Sequence, residues 1–197
     1  MGKQAFLLSA SRIGILVLVG CACGVLLGQA STRSQLAAAL DSWSDRAGTR
    51  GAILKITHDP VPLLASIATT KDDPDVRRLH AIAILATFKT ERSKQALDQL
   101  ADDPNPKCRC AALQSMAELE SRGAIPVLIR KLDDQAVCME AASTDPPEEH
   151  DVYVSDEAVR LLEHITGQST ATESVGGHRA TRPWRKWWAA QQRASGK

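Results

Sequence analysis

Apolar and polar residues follow a helical period along most of this chain, in blocks separated by acidic turns. From Val61, the apolar stretch VPLLASIATT leads into the turn DDPDVRR, Asp72 to Arg78, and a second helical stretch, DVRRLHAIAILATF, starts at Asp75. From Ser93, SKQALDQLA leads into DDPNPKCR, Asp102 to Arg109, with PKCRCAALQSMAEL following from Pro106. From Ala124, AIPVLIRKL leads into a third acidic pair, Asp133-Asp134. Ala112, Met116 and Leu119 stand at i, i+4 and i+7, which places them on one helix face. Proline at or near a helix start fits, because its missing N–H has no intrahelical partner there. Paired helices recurring every thirty or so residues predict an all-α fold: a short right-handed α-solenoid of about three helix pairs.

The third pair is interrupted. Aligning Val76-Arg77 with Cys108-Arg109 and then with Val159-Arg160 leaves about twenty extra residues in the last interval. The excess falls on an acidic insertion over 133–154 that carries Pro146-Pro147, so the partner helix is expected near Ser155 to Ile165. An insertion of this kind is either a solvated excursion or a recognition element. The resulting organisation is a targeting segment over 1–30, a linker with a short helix or half-repeat over 31–58, repeats over 59–168, a loop over 169–182 and a capping helix over 183–193.

The targeting segment comes from an unbroken apolar run, Ile13 to Leu27, preceded by Lys3 and Arg12 and followed by polar STRSQ. Three fates fit it: a retained membrane anchor over 13–27, a lipoprotein acylated at Cys21 within Leu18-Val19-Gly20-Cys21, or cleavage after Ala30. The flanking positive charges place the following domain outside the cytoplasm in each case, anchored on the periplasmic side or, as alternatives, lipidated or secreted.

Composition narrows function. Net charge is +1, which offers no field for collecting nucleic acid, and no nucleic-acid partner is expected. Charge is instead divided locally. Nine acids and no Lys or Arg lie between Asp133 and Glu157, whereas every charge after Glu173 is basic. The five histidines show no i, i+4 pair and no HExxH, and no Ser-His-Asp or phosphate-loop motif is present, so no enzyme activity, metal or cofactor is expected. Cys108 and Cys110 point about 200° apart on a helix and cannot bond each other; they read as small helix residues, with Cys108 in the core and no disulfide framework.

Trp184, Trp187 and Trp188 stand at i, i+3 and i+4 near the C-terminus, opposite Arg185 and Lys186. The last face of a solenoid needs a cover, and large aromatics supply one, so these three tryptophans are expected to form a structural cap.

The turn Asp73-Pro74-Asp75-Val76-Arg77 and the helix opening Ala124 to Leu128 resemble the HEAT-repeat family, in the short bacterial form known as PBS-lyase HEAT-like. The resemblance covers roughly Asp59 to Gly167. It implies that Arg77, Arg109 and Arg160 pair with acids of neighbouring turns in a ladder along the solenoid. The TGQ and WRKWW segments are similar to the endings of secreted bacterial HEAT-repeat proteins. A non-catalytic, exported interaction scaffold follows as the expectation, binding an unidentified protein through the solenoid face or the insertion. The residues that would meet the partner are Arg77, Arg109, Arg160, Glu148, Glu149 and Asp151. The alternatives are a bilin- or metal-handling enzyme on the same scaffold and a purely structural envelope tether.

Overall fold

The computed structural model describes residues 30–140, 151–169 and 179–196, and they are mostly helical. The apolar run over 13–27, with Cys21, lies outside the described residues, as do Glu148 and Glu149. Among the described residues no helix is long and apolar enough to cross a membrane.

Two helices occupy the stretch read as a linker with a short helix or half-repeat: α1 over 30–41 and α2 over Arg46–Ile56. Asp45 caps α2 by accepting from the Gly48 amide at 2.7 Å. The repeats follow as α3 (Val61–Thr69) with α4 (Asp75–Leu85), and α5 (Glu91–Leu100) with α6 (Pro106–Leu119). Thr90 caps α5 through the Ser93 amide at 3.1 Å, and Asn105 caps α6 through the Lys107 amide at 2.9 Å, with Pro106 in the first turn. The helix α7 runs over Ser121–Arg130, starting three residues before the apolar stretch at Ala124, so that Pro126 sits inside it. Its partner α8, Val154–Thr166, ends on Gly167, whose φ of +69° favours glycine. A last helix, α9, covers Arg182–Ser195.

The insertion is not a plain loop. Its base is a two-stranded antiparallel hairpin, β1 (Val137–Met139) and β2 (Val152–Tyr153), with Val137 opposite Tyr153 and Met139 opposite Val152. Val154 N donates to Ala136 O at 3.0 Å and Ser155 N to Asp134 O at 2.9 Å, closing the neck. The chain thus leaves and re-enters at one point, and α8 still packs on α7 as α6 packs on α5.

The helices α4, α6 and α8 lie side by side as an inner layer, whereas the outer helices spread apart from α5 to α7. One core runs through the stack, with Leu64, Ile82, Leu97, Leu113 and Leu162 all fully buried.

Polar rungs tie successive turns, in a register different from the sequence alignment. Arg78 donates to Asp103 at 2.5 Å and Arg109 to Asp134 at 2.9 Å, each twenty-five positions ahead, and Arg33 of α1 makes the matching pair with Asp73. The residue equivalent to Arg109 is therefore Arg78, which is buried, and not Arg77. Arg77 instead holds Asp41 through Nε at 2.9 Å and Nη2 at 2.7 Å, and Asp73 at 2.8 Å. The Arg77 guanidinium keeps the Asp41 carboxyl below its ordinary value.

The sulfurs of Cys110 and Cys138 form a disulfide, with Cα atoms 6.3 Å apart. This corrects the reading of Cys110 as an unbonded small helix residue with no disulfide framework. Helix spacing excludes only a bond to the neighbour Cys108, and the partner of Cys110 lies twenty-eight residues away on β1. Cys108 is free and buried, as expected, and burial pushes its thiol up to about 11. Replacing Cys138 by serine should lower the unfolding free energy by about 2–4 kcal/mol, read as a shift in denaturant midpoint that reductant reproduces in the parent chain.

Candidate functional site

The inner helix layer and the hairpin enclose a trough. On α4, Leu79 and Ala83 stand at i and i+4 along one face; α6 supplies Ala111 and Gln114 as the floor, and β1 supplies Cys138 and Met139 as the far wall. The cleft between α4, α6 and β1 measures about 680 Å³. A second, of about 400 Å³, continues past Gln114 and Met139 to the α8 side of the hairpin, where Asp151, Arg160 and Arg179 line it. The disulfide from α6 to β1 fixes the wall against the floor.

The second cleft is polar and self-paired. Glu157, almost fully buried, accepts from Gln114 Nε2 at 2.9 Å and from Arg160 at 2.5 and 2.7 Å. That contact with Glu157 raises the Arg160 guanidinium above its ordinary value. Arg179 reaches from the segment before α9, its amide donating to Asp156 at 2.8 Å and its guanidinium to Glu163 at 2.6 Å.

The outer layer offers a smaller groove of about 260 Å³ between α5 and α7, floored by Met116 and Leu119. Ion pairs span it, from Lys94 to Glu120 at 2.6 Å and from Arg130 to Asp98 at 2.9 Å. At its end Lys131 Nζ holds Asp102 at 2.5 Å, which keeps the Asp102 carboxyl below its ordinary 3.8. A depressed carboxyl stabilises the fold above its unfolded value and loses that contribution as pH falls through the folded one. Asp102→Asn should therefore flatten the stability loss seen in acid titration below 3.8 while leaving the neutral-pH plateau only slightly lowered, as followed by circular dichroism.

Of the residues expected to meet a partner, Arg160 and Asp151 come together in one cleft. Arg77 and Arg109 do not join them: both stand at turns, engaged with Asp41 and Asp73 and with Asp134. Arg160 pairs with Glu157 of its own helix rather than across turns. Among the described residues, no group of three or more His, Cys, Asp or Glu side chains could hold a metal ion. The surface that sequence reasoning missed is the apolar wall of the trough. Its signal was present in Leu79 and Ala83, apolar positions at i and i+4 that the core covers only in part, and Met139 joins them through the hairpin whose β1 is bonded to α6.

No curated protein and no solved structure matches the chain. A family model described as HEAT repeats matches residues 61–144, a span running from α3 through α7 and β1, and over those residues the chain is similar to a HEAT-repeat protein.

Proposed function

We propose that this protein is a non-catalytic interaction scaffold, a HEAT-like α-solenoid of the PBS-lyase type, exported and held at the membrane by residues 13–27, that binds a protein partner along its inner helix face. The observation that carries the reading is the trough itself: a continuous concavity across α4, α6 and the hairpin, apolar along Leu79, Ala83, Ala111 and Met139 and lined also by Lys107 and Glu140, with Glu157 and Arg160 paired in the polar cleft beyond. HEAT repeats commonly serve as protein-interaction scaffolds, which the family match supports in general terms. The disulfide favours an oxidising compartment and so supports export. The chain is already helical at residue 30, three positions after the apolar run ends, so few residues separate an anchor over 13–27 from α1.

Expression of the full chain in a bacterial host, followed by fractionation and intact-mass measurement, tests the tether. Met1 retained in the membrane fraction is the expected result; a soluble species starting near Ser31 would remove the anchor. Affinity capture from envelope extracts tests the scaffold: a protein retained by the parent chain and lost with Leu79→Arg in the trough is expected, and retention unaffected by that change would move binding elsewhere.

A further inference from the structure

We propose that the outward face of α9 lies on an anionic lipid surface, where Arg182, Lys186 and Arg193 meet the headgroups, and that this contact and the N-terminal segment together lay the solenoid along the membrane. It rests on the tether reading for the nearness of a bilayer, and it adds a second point of contact.

The two faces of α9 differ. Trp184 turns into the core and is the one buried residue of the helix. Arg182, Lys186 and Arg193 stand at i, i+4 and i+11, which at 3.6 residues per turn gathers them within about 40° of arc, roughly opposite Trp184. They form a line about 16 Å long with Ala189 and Ala190 between them, and Arg182–Ser195 contains no acidic residue. Every residue over 189–196 is exposed, so the end of the helix covers none of the core.

These three cations are unpaired. Arg185, at the edge of the same face, holds Asp133, and Arg179 before the helix holds Glu163, whereas among the described residues Arg182, Lys186 and Arg193 have no acidic partner. The rung arginines of the solenoid are different, since Arg78 is answered by Asp103 and Arg109 by Asp134. The C-terminal stretch supplies no acid of its own, because every charge after Glu173 is basic.

The shape of the face decides what it meets. A helix surface is convex, and none of the three cations lines any of the clefts described above. A specific protein interface is built round buried aromatic or aliphatic anchors, and this face has none, because Trp184 and Trp187 pack on the core. A row of charges without an anchor matches a plane of anionic headgroups, which needs no pocket. Each cation near such a surface raises affinity about five-fold, so three give about a hundred-fold. That is weak for a free protein but sufficient for a chain already tied to the bilayer, where the effective concentration is high. The pairs Arg33–Asp73 and His80–Leu40 carbonyl hold α1 at the α3–α4 end of the stack, whereas α9 packs on α7 at the other. Contacts at both ends lay the stack flat.

The test uses the full chain reconstituted in vesicles of phosphatidylcholine alone or mixed with phosphatidylglycerol, with amide hydrogen exchange read over 186–196. Exchange there is expected to be about five-fold or more slower on the mixed vesicles, and about 0.5 M sodium chloride should abolish the difference. Tryptophan emission should not shift, because the indoles stay turned to the core. Arg182→Gln combined with Lys186→Gln and Arg193→Gln, exposed positions whose fold is checked by a melting curve, should exchange equally on both vesicles. Equal exchange in the parent chain, slowing that persists in the triple variant, or slowing that survives the salt would each overturn the contact. A blue shift of the emission would overturn it in favour of insertion, and slowing by soluble polyglutamate but not by the mixed vesicles would assign the stripe to an acidic protein instead. If fractionation yields a soluble species starting near Ser31, the tether alone falls. Sedimentation of that species with the mixed vesicles and not with phosphatidylcholine would then uphold the stripe as a lipid contact; no sedimentation would remove both.

Discussion

Replacing Trp184 by alanine is expected to lower the unfolding free energy by about 3–5 kcal/mol, the range for deleting a large aromatic from a core. Trp184 is 1% exposed and belongs to the continuous core, whereas Trp187 packs against that core only partly buried. The indoles of Trp184 and Trp187 meet edge to face with centroids 5.5 Å apart, and Trp188 leans on Trp187 at 6.2 Å. The helix that carries them lies against α7, and Arg185 pairs with Asp133 of the following turn. A graded series follows: Trp187→Ala should cost about half as much as Trp184→Ala, and Trp188→Ala less than about 1 kcal/mol. Trp184 Nε1 is buried without a hydrogen-bond partner among the described residues. Trp184→Phe removes that unsatisfied donor along with part of the ring, so its cost should fall well below that of alanine. Chemical denaturation of the four variants checks the order; equal small effects would mean that α9 does not seal the stack.

The same helix illustrates what could be read from the sequence. The i, i+3, i+4 spacing located a tryptophan face, but it treats all three positions alike. Which indole enters the core depends on the angle at which α9 crosses α7, and no local pattern encodes that angle. The repeats were more legible, because each acidic turn with proline and each apolar helix is specified within about fifteen residues of chain. The hairpin was not. Val137–Met139 and Val152–Tyr153 are too short to show a period of two, and they pair across an interval whose proline and acids suggest only a loop. The disulfide escaped for the same reason, since Cys110 and Cys138 are brought together by the neck of the insertion rather than by spacing. Among the candidate partner residues, the ladder that the family resemblance implies holds at Arg109, runs through Arg78 rather than Arg77 in the turn before it, and is not continued by Arg160, which pairs with Glu157 of its own helix; VRR offers two arginines, and only packing decides which of them turns inward.

Arg78→Ala is the other substitution expected to cost about 3–5 kcal/mol, by a different mechanism. The Arg78 side chain is 3% exposed and its partner Asp103 is 6% exposed. Nε donates to the Ala68 carbonyl at 2.8 Å, satisfying an acceptor near the end of α3, while Nη2 donates to Asp103 at 2.5 Å. Asp103 uses its second oxygen to accept from the Asn105 amide at 2.8 Å, where α6 begins. One guanidinium thus joins the turn inside one helix pair to the turn inside the next. Removing it strands a buried carboxylate and a carbonyl together, and the stranded carboxylate dominates the loss. Arg78→Met with Asp103→Leu removes both charges and keeps volume, so the double variant should be more stable than Arg78→Ala despite carrying two changes. Arg77→Ala, one position away, removes contacts at a half-exposed site and should cost no more than about 1 kcal/mol. A thermal-melt comparison of these variants decides between the two arginines: if Arg77→Ala proved the more damaging, the interrepeat rung would run through the alignment's register instead of the one described by packing.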